Sequence, residues 1–382
     1  MIDLLALLLI PVIFSAAFWL ATTVCVFLFM RSETPGAGNQ DNLSDFKPPV
    51  SLLKPVCGLE KNLHRNLSTA CRQNYPDYEV IFAVQSDRDP ALAVIEKIKN
   101  DFRNVRIKVV VDSTEVGING KVNNLHNALQ HATGSVLVIS DSDMHLAPDY
   151  LEQIVNPLKE QRVGIACTLY QAWRPDNILE SMELLTYNSD FLPSMLFAYL
   201  TRSSIVCPGA TLAIRTDVLK DVGGLEPLGD YFVEDFELGR QVVNKGYQII
   251  MLPYTVNMQV DLRSFSDWWR HQVYWDQNTK AVNPVGFIFT LLARGIPFAL
   301  LYAILGGALG WLILIGSIAW RMTTGSINAI LLKDAGSIKK IWLLPLRDLA
   351  GLFVWMASLL KRRTYWRGKL YTLSRGKMVP VK

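Results

Sequence analysis

The sequence predicts an α/β fold built on a mostly parallel sheet, set between an N-terminal transmembrane anchor and C-terminal membrane helices. Three observations predict it. From residue 50 to residue 140, short apolar runs rich in β-branched residues alternate with helix-length amphipathic segments, which is how βαβ units read. Residues 4–30 hold no charged side chain, and crossing a hydrocarbon core takes only ~20 apolar residues. A second uncharged run, 287–292, resumes beyond Arg294 through Trp320, and a third apolar run covers 341–360. The 382 residues are 50% hydrophobic, and a mean hydropathy of +0.21 is high for a soluble chain of this length.

Taken in order, residues 1–30 form the anchor. No basic segment precedes the apolar run, and the run is too long for a cleaved signal peptide. Residues 31–49, rich in Gly, Asn, Ser, Asp and Pro, read as a linker. Residues 50–280 have ordinary polarity and suffice for one large domain. Within it, strands are expected over 50–53, Tyr78–Val84 and Arg106–Val111, and helices over 59–73, 91–102 and 121–131. Val136, Leu137, Val138 and Ile139 form an unbroken apolar run, as in a strand buried on both faces, which ends at Asp141. A helix follows near Pro148. Residues 163–169 read as another strand. Residues 178–200 are apolar with helical period, carrying Met182, Leu185, Leu192, Met195, Leu196 and Tyr199. Such a stripe is a core face or an interfacial face that admits a lipid. Residues 208–215 read as a strand whose small first residues let a ligand approach the backbone. Residues 229–237 open a helix that runs to 245, and a further helix carries Trp268, Trp269, Tyr274 and Trp275, suited to a bilayer rim or a sugar-stacking platform.

Composition excludes several classes. The five cysteines, Cys25, Cys57, Cys71, Cys167 and Cys207, have no paired spacing, which argues for free thiols in a reducing compartment and against a disulfide scaffold or structural zinc site. The net charge is +4, but the tail over 361–382 concentrates Lys361, Arg362, Arg363, Arg367, Lys369, Arg375, Lys377 and Lys382 without one acid. A basic tail after an apolar span points to the cytoplasmic face and anionic headgroups. No basic stripe marks the central domain, so a nucleic-acid partner is not expected.

Four constellations carry chemistry. Asp141 and Asp143 stand at the carboxyl end of a buried strand, where open α/β sheets bind ligands. Two such carboxylates can share a divalent cation with a diphosphate. The bland alternative is a solvated turn. Asp87 and Asp89 end a second strand on the same edge, placed to accept from a nucleobase or ribose or merely to start a helix. Gly117 to Asn124 opens a helix with Lys121 in its first turn, a seat for a diphosphate that lacks the P-loop pattern. Finally, Glu234 and Asp235 open a helix, where acids are favoured for structural reasons alone; their adjacency also raises the proton affinity of one of them, which is how a carboxylate becomes a usable general base.

These segments share one order and spacing: VSLLKPVCGLEKNL at 50–63, YEVIFAVQSDRDP at 78–90, VGINGKVNNL at 116–125, SDSD at 140–143 and VED at 233–235. That order resembles the ceramide glucosyltransferase family and its bacterial relatives, including hopanoid-associated glycosyltransferases. The resemblance implies a GT-A fold over 50–280, with a nucleotide-sugar half over 50–145 and an acceptor half over 146–280. It implies a UDP-sugar donor, with UDP-glucose expected, a lipid hydroxyl as acceptor, and inversion at the anomeric carbon. Asp89 would contact the nucleotide, Asp141 and Asp143 would hold Mg²⁺ or Mn²⁺, and Asp235 would be the catalytic base. Lys121 would add charge near the diphosphate. The alternatives are a hopanoid-specific transferase using UDP-N-acetylglucosamine, suggested by residues 187–194, and a non-catalytic relative that binds nucleotide sugar or lipid.

One motif departs from the family pattern. Its (Q/R/H)xxRW element reads His271-Gln272-Val273-Tyr274-Trp275 here, with Tyr274 in place of arginine. A tyrosine donates one uncharged hydrogen bond where an arginine would neutralise a departing diphosphate. Arg270, one residue before His271, is a candidate substitute, though on a helix it faces a different direction. The pattern also argues against a processive polysaccharide synthase. Membrane helices are expected over 285–360, where Arg347 and Asp348 must pair or lie shallow. The catalytic domain is expected on the cytoplasmic face, in a bacterial inner membrane.

Overall fold

A computed structural model describes residues 2–32, 46–361, 363–366 and 369–381. Most of the expected linker, and Arg362, Arg367 and Lys382 of the basic tail, lie outside the described residues. Helix α1 (Ile2–Arg31) leads to β1 (Val50–Pro55), α2 (Leu63–Ala70), β2 (Tyr78–Val84), α3 (Ala91–Asp101), β3 (Arg106–Val111), α4 (Gly120–Leu129) and β4 (Val136–Ser140). Then come β5 (Met144–His145), α5 (Tyr150–Val155), β6 (Val163–Trp173), α6 (Ile178–Thr186), a π-helical turn (Tyr187–Phe191), α7 (Leu192–Thr201), β7 (Thr211–Arg215), α8 (Thr216–Asp221), α9 (Glu234–Asn244) and β8 (Gln248–Gln259). The remainder is helical up to three short strands: α10 (Phe265–Val282), α11 (Pro284–Ala293), α12 (Gly295–Leu305), α13 (Gly307–Leu331), α14 (Ala335–Lys340), α15 (Leu344–Leu360), then β9 (Arg363–Trp366), β10 (Lys369–Ser374) and β11 (Lys377–Pro380).

The chain divides into two units. One comprises Ser32–Gln171 and Ile205–Asp261; the other comprises Met1–Arg31, Ala172–Ser204 and Leu262–Lys382. Residues 172–204 and 262–280, expected within the acceptor half, therefore cluster with the apolar helices. All five cysteines are free.

The first unit is organised on an eight-stranded sheet of order β3-β2-β1-β4-β7-β6-β8-β5. Its β3-β2-β1-β4 block is parallel throughout, as the βαβ pattern requires. From β4 onward the sheet is extended by antiparallel pairs, β4 with β7, β7 with β6 and β5 with β8. β1 and β4 are buried at every position, and Leu53, Ile81, Leu137 and Ile139 pack with Val122, Leu125, Leu238 and Val242 in one core cluster. Two of these strands bury polar groups. Glu79, 2% exposed, is bonded to Ser51, Thr133 and Lys108, so despite the opposing effect of burial those donors hold its carboxyl down at about 2. Lys54, near the carboxyl end of β1, is 0% exposed.

The second unit gathers α1 against α7, α11, α12 and α13. Helices Leu4–Arg31 and Ala335–Leu360 are long and apolar enough to cross a membrane, and the bent pair α11 and α12, at 44°, gives a third span if the two act as one. The single helix expected over 178–200 is interrupted. Pro193 has no N–H to offer the carbonyl of Ser189, and that carbonyl instead accepts from Arg321 Nη2 at 3.1 Å. The π-helical turn falls where the ladder is broken. Leu184, Leu185, Leu192 and Leu196 are all buried, so this stripe serves as core. Arg347 and Asp348 pair with each other at 2.9 Å, Asp348 also with Arg321 at 3.0 Å, and Arg347 also with Asp190. The charges inside the last apolar run are therefore matched. The final hairpin turns at Arg375 and Gly376, both at positive φ (49° and 78°), the geometry of a two-residue hairpin loop.

Candidate active site

The first unit brings its acidic residues to the carboxyl edge of the parallel strands. β4 stops at Ser140, so Asp141 and Asp143 fall just past the sheet. β2 stops at Val84, and the loop after it carries Asp89. Parallel pairing of both strands with β1 puts the two loops on the same edge. Asp89 accepts from Gly58 N with both carboxylate oxygens at 3.0 Å and from Ala91 N at 2.9 Å. It thus starts α3 and also ties down the loop after β1. Asp87 is exposed.

Two loops of distant sequence interlock beside these carboxylates. The approach of Gly117 to Gly229 is too close for a Cβ on either residue, so only glycines fit there. Asn119, fully buried, caps α4 through Lys121 N at 3.0 Å and Val122 N at 3.4 Å. Its amide reaches Tyr231 O and Glu234 Oε2, both at 3.0 Å. The clip fixes the start of α9 against the start of α4.

That clip brings Lys121 between two acidic groups. Its Nζ lies 2.7 Å from Asp141 Oδ1 and 3.2 Å from Glu234 Oε1, and donates to Gly209 O at 3.2 Å. Burial opposes its charge, yet Asp141, Glu234 and Asp235 hold the ammonium well above the usual lysine range. Asp235 accepts from Gly209 N at 2.6 Å and from Phe236 N at 2.7 Å. Burial, then the charge of Glu234, pushes the Asp235 carboxyl up to about 7, with Lys121 opposing. A Cβ at Gly209 would land on the Asp235 side chain, so the small residues at the start of this segment make room for that carboxylate.

Beneath the acidic pair lies Lys54, donating to Ser140 Oγ at 3.1 Å and to the Asp141 carbonyl. Burial pulls its ammonium down to about 8, while Asp141, Asp143 and Glu60 work the other way. Glu60 accepts from Ser142 Oγ at 2.7 Å. Asp143 is pushed up to about 8 by burial and by Asp141 and Glu60, and its Oδ1 is buried with no hydrogen-bond partner among the described residues. Lys54, Glu60 and Asn119 were not singled out by motif reading. A lysine directly after the apolar pair Leu52 and Leu53 of a strand is the signal available for Lys54.

A divalent cation fits this donor set in part. The orphaned Asp143 oxygen beside Asp141 offers hard oxygen ligands short of a cation. Among the described residues, no group of three or more His, Cys, Asp or Glu is arranged around one metal position. Further ligands would have to come from a phosphate or water, which is ordinary for Mg²⁺.

His271, Tyr274 and Trp275 belong to the second unit. The His271 ring meets Glu183 Oε1 at 2.8 Å, and Gln272 donates to the same carboxylate, which is 1% exposed. Trp275 packs edge-on to Tyr187 at 5.6 Å and tilted to Phe191 at 5.4 Å, while Tyr274 stacks on His271. This segment docks α10 on α6 and the π-helical turn. Arg270 is exposed and paired with Asp267 on its own helix.

Comparison with known proteins agrees with this architecture. The family model described as glycosyl transferase family 21 matches residues 8–379. Ceramide glucosyltransferase 3 of Caenorhabditis elegans is 23% identical over 348 residues, covering 88% of this chain and 75% of that protein. Ceramide glucosyltransferase 1 of the same organism is 25% identical over 201 residues, 52% of this chain; the match spans 43% of that relative's length. A mannosyltransferase from Pyrobaculum calidifontis, solved with GDP-Man and Mn²⁺, superposes with a TM-score of 0.57 at 16% identity, covering 93% of this chain and 98% of that one. The fold is thus GT-A-like.

Proposed function

The chain belongs to glycosyl transferase family 21, and we propose that it moves a hexose, glucose from UDP-glucose in the leading case, onto the hydroxyl of a membrane lipid such as ceramide. The observation that carries this reading is the Lys121 bridge: one cation gathers Asp141, Glu234 and the Gly209 loop that holds Asp235. An acidic pair and a base of raised proton affinity thereby surround one point on a ligand-binding sheet edge.

In this reading Asp141 and Asp143 would hold a divalent metal ion, and Asp89 orders the loop that receives the nucleotide. A bound Mg²⁺ or Mn²⁺ would neutralise the leaving nucleoside diphosphate. The lipid oxygen forms a bond to the sugar C1 while the C1–oxygen bond to the diphosphate breaks. The diphosphate keeps that electron pair, and Asp235 takes the hydroxyl proton. Attack from the face opposite the leaving group inverts the anomeric carbon. Lys121 adds positive charge beside the departing oxygens. His271, Tyr274 and Trp275 are read as a motif whose aromatic end is structural and whose missing arginine leaves less charge for the leaving group.

Asp235→Asn keeps the shape and removes the base, so turnover should be lost while nucleotide-sugar binding persists. General-base assistance is worth ~10²–10⁴-fold. Wild-type turnover by that variant would remove the assignment. Donor and acceptor are separated by giving membranes labelled UDP-glucose or UDP-N-acetylglucosamine with ceramide, diacylglycerol or a polyhydroxylated hopanoid. Transfer only from UDP-N-acetylglucosamine to the hopanoid would favour that branch, and no transfer with intact binding would mark a non-catalytic relative. The catalytic unit is assigned to the cytoplasmic face, on the strength of the basic C-terminal tail.

A further inference from the structure

Lys121 stands where a divalent ion held by Asp141 would bring its own charge. Its Nζ lies 2.7 Å from Asp141 Oδ1 and 3.2 Å from Glu234 Oε1, and it donates to Gly209 O at 3.2 Å. Three oxygens thus already surround one cation. From below, Lys54 brings a second ammonium, which donates to Ser140 Oγ and to the Asp141 carbonyl. A divalent ion approaching Asp141 therefore meets two like charges, and such repulsion is stronger where water is partly excluded. With no third His, Cys, Asp or Glu arranged beside the pair among the described residues, that ion also needs oxygens from a diphosphate or water.

Lys121 can change partners without moving its helix. Its backbone is pinned, since Lys121 N donates to Asn119 Oδ1 at 3.0 Å and Asn119 is fully buried. Beyond that point runs a flexible four-carbon stem that ends in three rotatable donors. The side chains of Lys121 and Asp141 are 22% and 29% exposed, so a ligand arriving from solvent reaches both. A diphosphate draws an ammonium through charge-assisted hydrogen bonds. Its oxygens also complete the ligand set that two carboxylates leave short. One ligand thereby removes the competing charge from Asp141 and supplies the missing donors.

We infer, on the nucleotide-sugar reading above, that Lys121 withholds Asp141 from a divalent ion until a diphosphate takes over its ammonium. The ion is then held well only together with the nucleotide, and Lys121 sets that order of binding.

Mn²⁺ binding to the full chain in phosphatidylcholine nanodiscs, read by electron paramagnetic resonance, tests this order. Saturating UDP should tighten Mn²⁺ binding by the wild type about tenfold or more, once the Mn²⁺–UDP complex formed without protein is subtracted. Lys121→Met removes the competing charge and should tighten nucleotide-free Mn²⁺ binding about tenfold. The same variant should weaken metal-free UDP binding about tenfold, because the diphosphate loses its ammonium partner. A merely structural defect would weaken both ligands, so opposite signs separate the two cases. Lys121→Gln should behave likewise, which covers a methionine variant that does not fold. Equal Mn²⁺ affinity of the wild type with and without UDP would overturn the proposal, and so would unchanged or weaker nucleotide-free Mn²⁺ binding in the folded variants. In both of those outcomes UDP still binds and the nucleotide-sugar reading stands. Absence of UDP binding by the wild type would overturn that reading and the order of binding with it.

Discussion

Asp235 is held by two backbone amides, from Gly209 and Phe236, while burial and Glu234 raise its proton affinity to about 7. In the proposed role of base it would work only when ionised. The rate kcat/KM should therefore rise tenfold per pH unit below about 7 and level off above it. Glu234→Gln removes one cause of that upward shift, so its profile should have a midpoint at lower pH. An unmoved midpoint would detach the profile from Asp235. Lys54 makes a different kind of contribution. It is the buried cation beneath Asp141, Asp143 and Glu60, and Lys54→Met would leave that cluster uncompensated. A loss of stability of about 3 kcal/mol is expected from breaking a buried charge arrangement of this sort, measurable by denaturant unfolding of the detergent-solubilised chain. Mn²⁺ affinity by electron paramagnetic resonance should change with it, because the Asp141 carbonyl and the Ser140 hydroxyl lose the group that positions them.

Among the elements, α4 and α9 matter through their first turns. Asn119 caps α4 and at the same time holds the Tyr231 carbonyl and Glu234 ahead of and within α9. Asn119→Ala removes a cap and the hydrogen bonds to the Tyr231 carbonyl and Glu234. The expected cost is about 2 kcal/mol, read as a lowered unfolding midpoint. Turnover should fall further than stability alone explains, because Lys121 and Glu234 lose their shared alignment. The π-helical turn at 187–191 has a comparable origin. Pro193 frees the Ser189 carbonyl, and a buried arginine from α13 uses it.

For the whole molecule, the pattern of spans decides sidedness. If the bent pair α11 and α12 crosses once and Ala335–Leu360 crosses again, two crossings follow the catalytic unit and return the tail to its side. The acid-free basic tail favours the cytoplasm for that side. A C-terminal tag and an epitope in the first unit should then share protease sensitivity in inverted vesicles, and opposite protection would show an odd number of crossings.

Periodicity and composition alone were enough to read the parallel block, the anchor and the acidic loops after β2 and β4. Strands buried on both faces have unbroken apolar runs, and a membrane span must be long and carry few charges. The antiparallel extension, β8 and the C-terminal hairpin were not legible, since polar residues and Pro253 blur the period of β8 and the hairpin's turn rests on positive φ at Arg375. Sequence could nominate Asp141, Asp143 and Asp235 one loop at a time. Only tertiary structure could set Lys121 between Asp141 and Glu234, fit Gly209 against Asp235 and slide Lys54 under the acidic pair. Those contacts join residues tens of positions apart, and their distances depend on how the sheet stacks its loops, which no local pattern encodes.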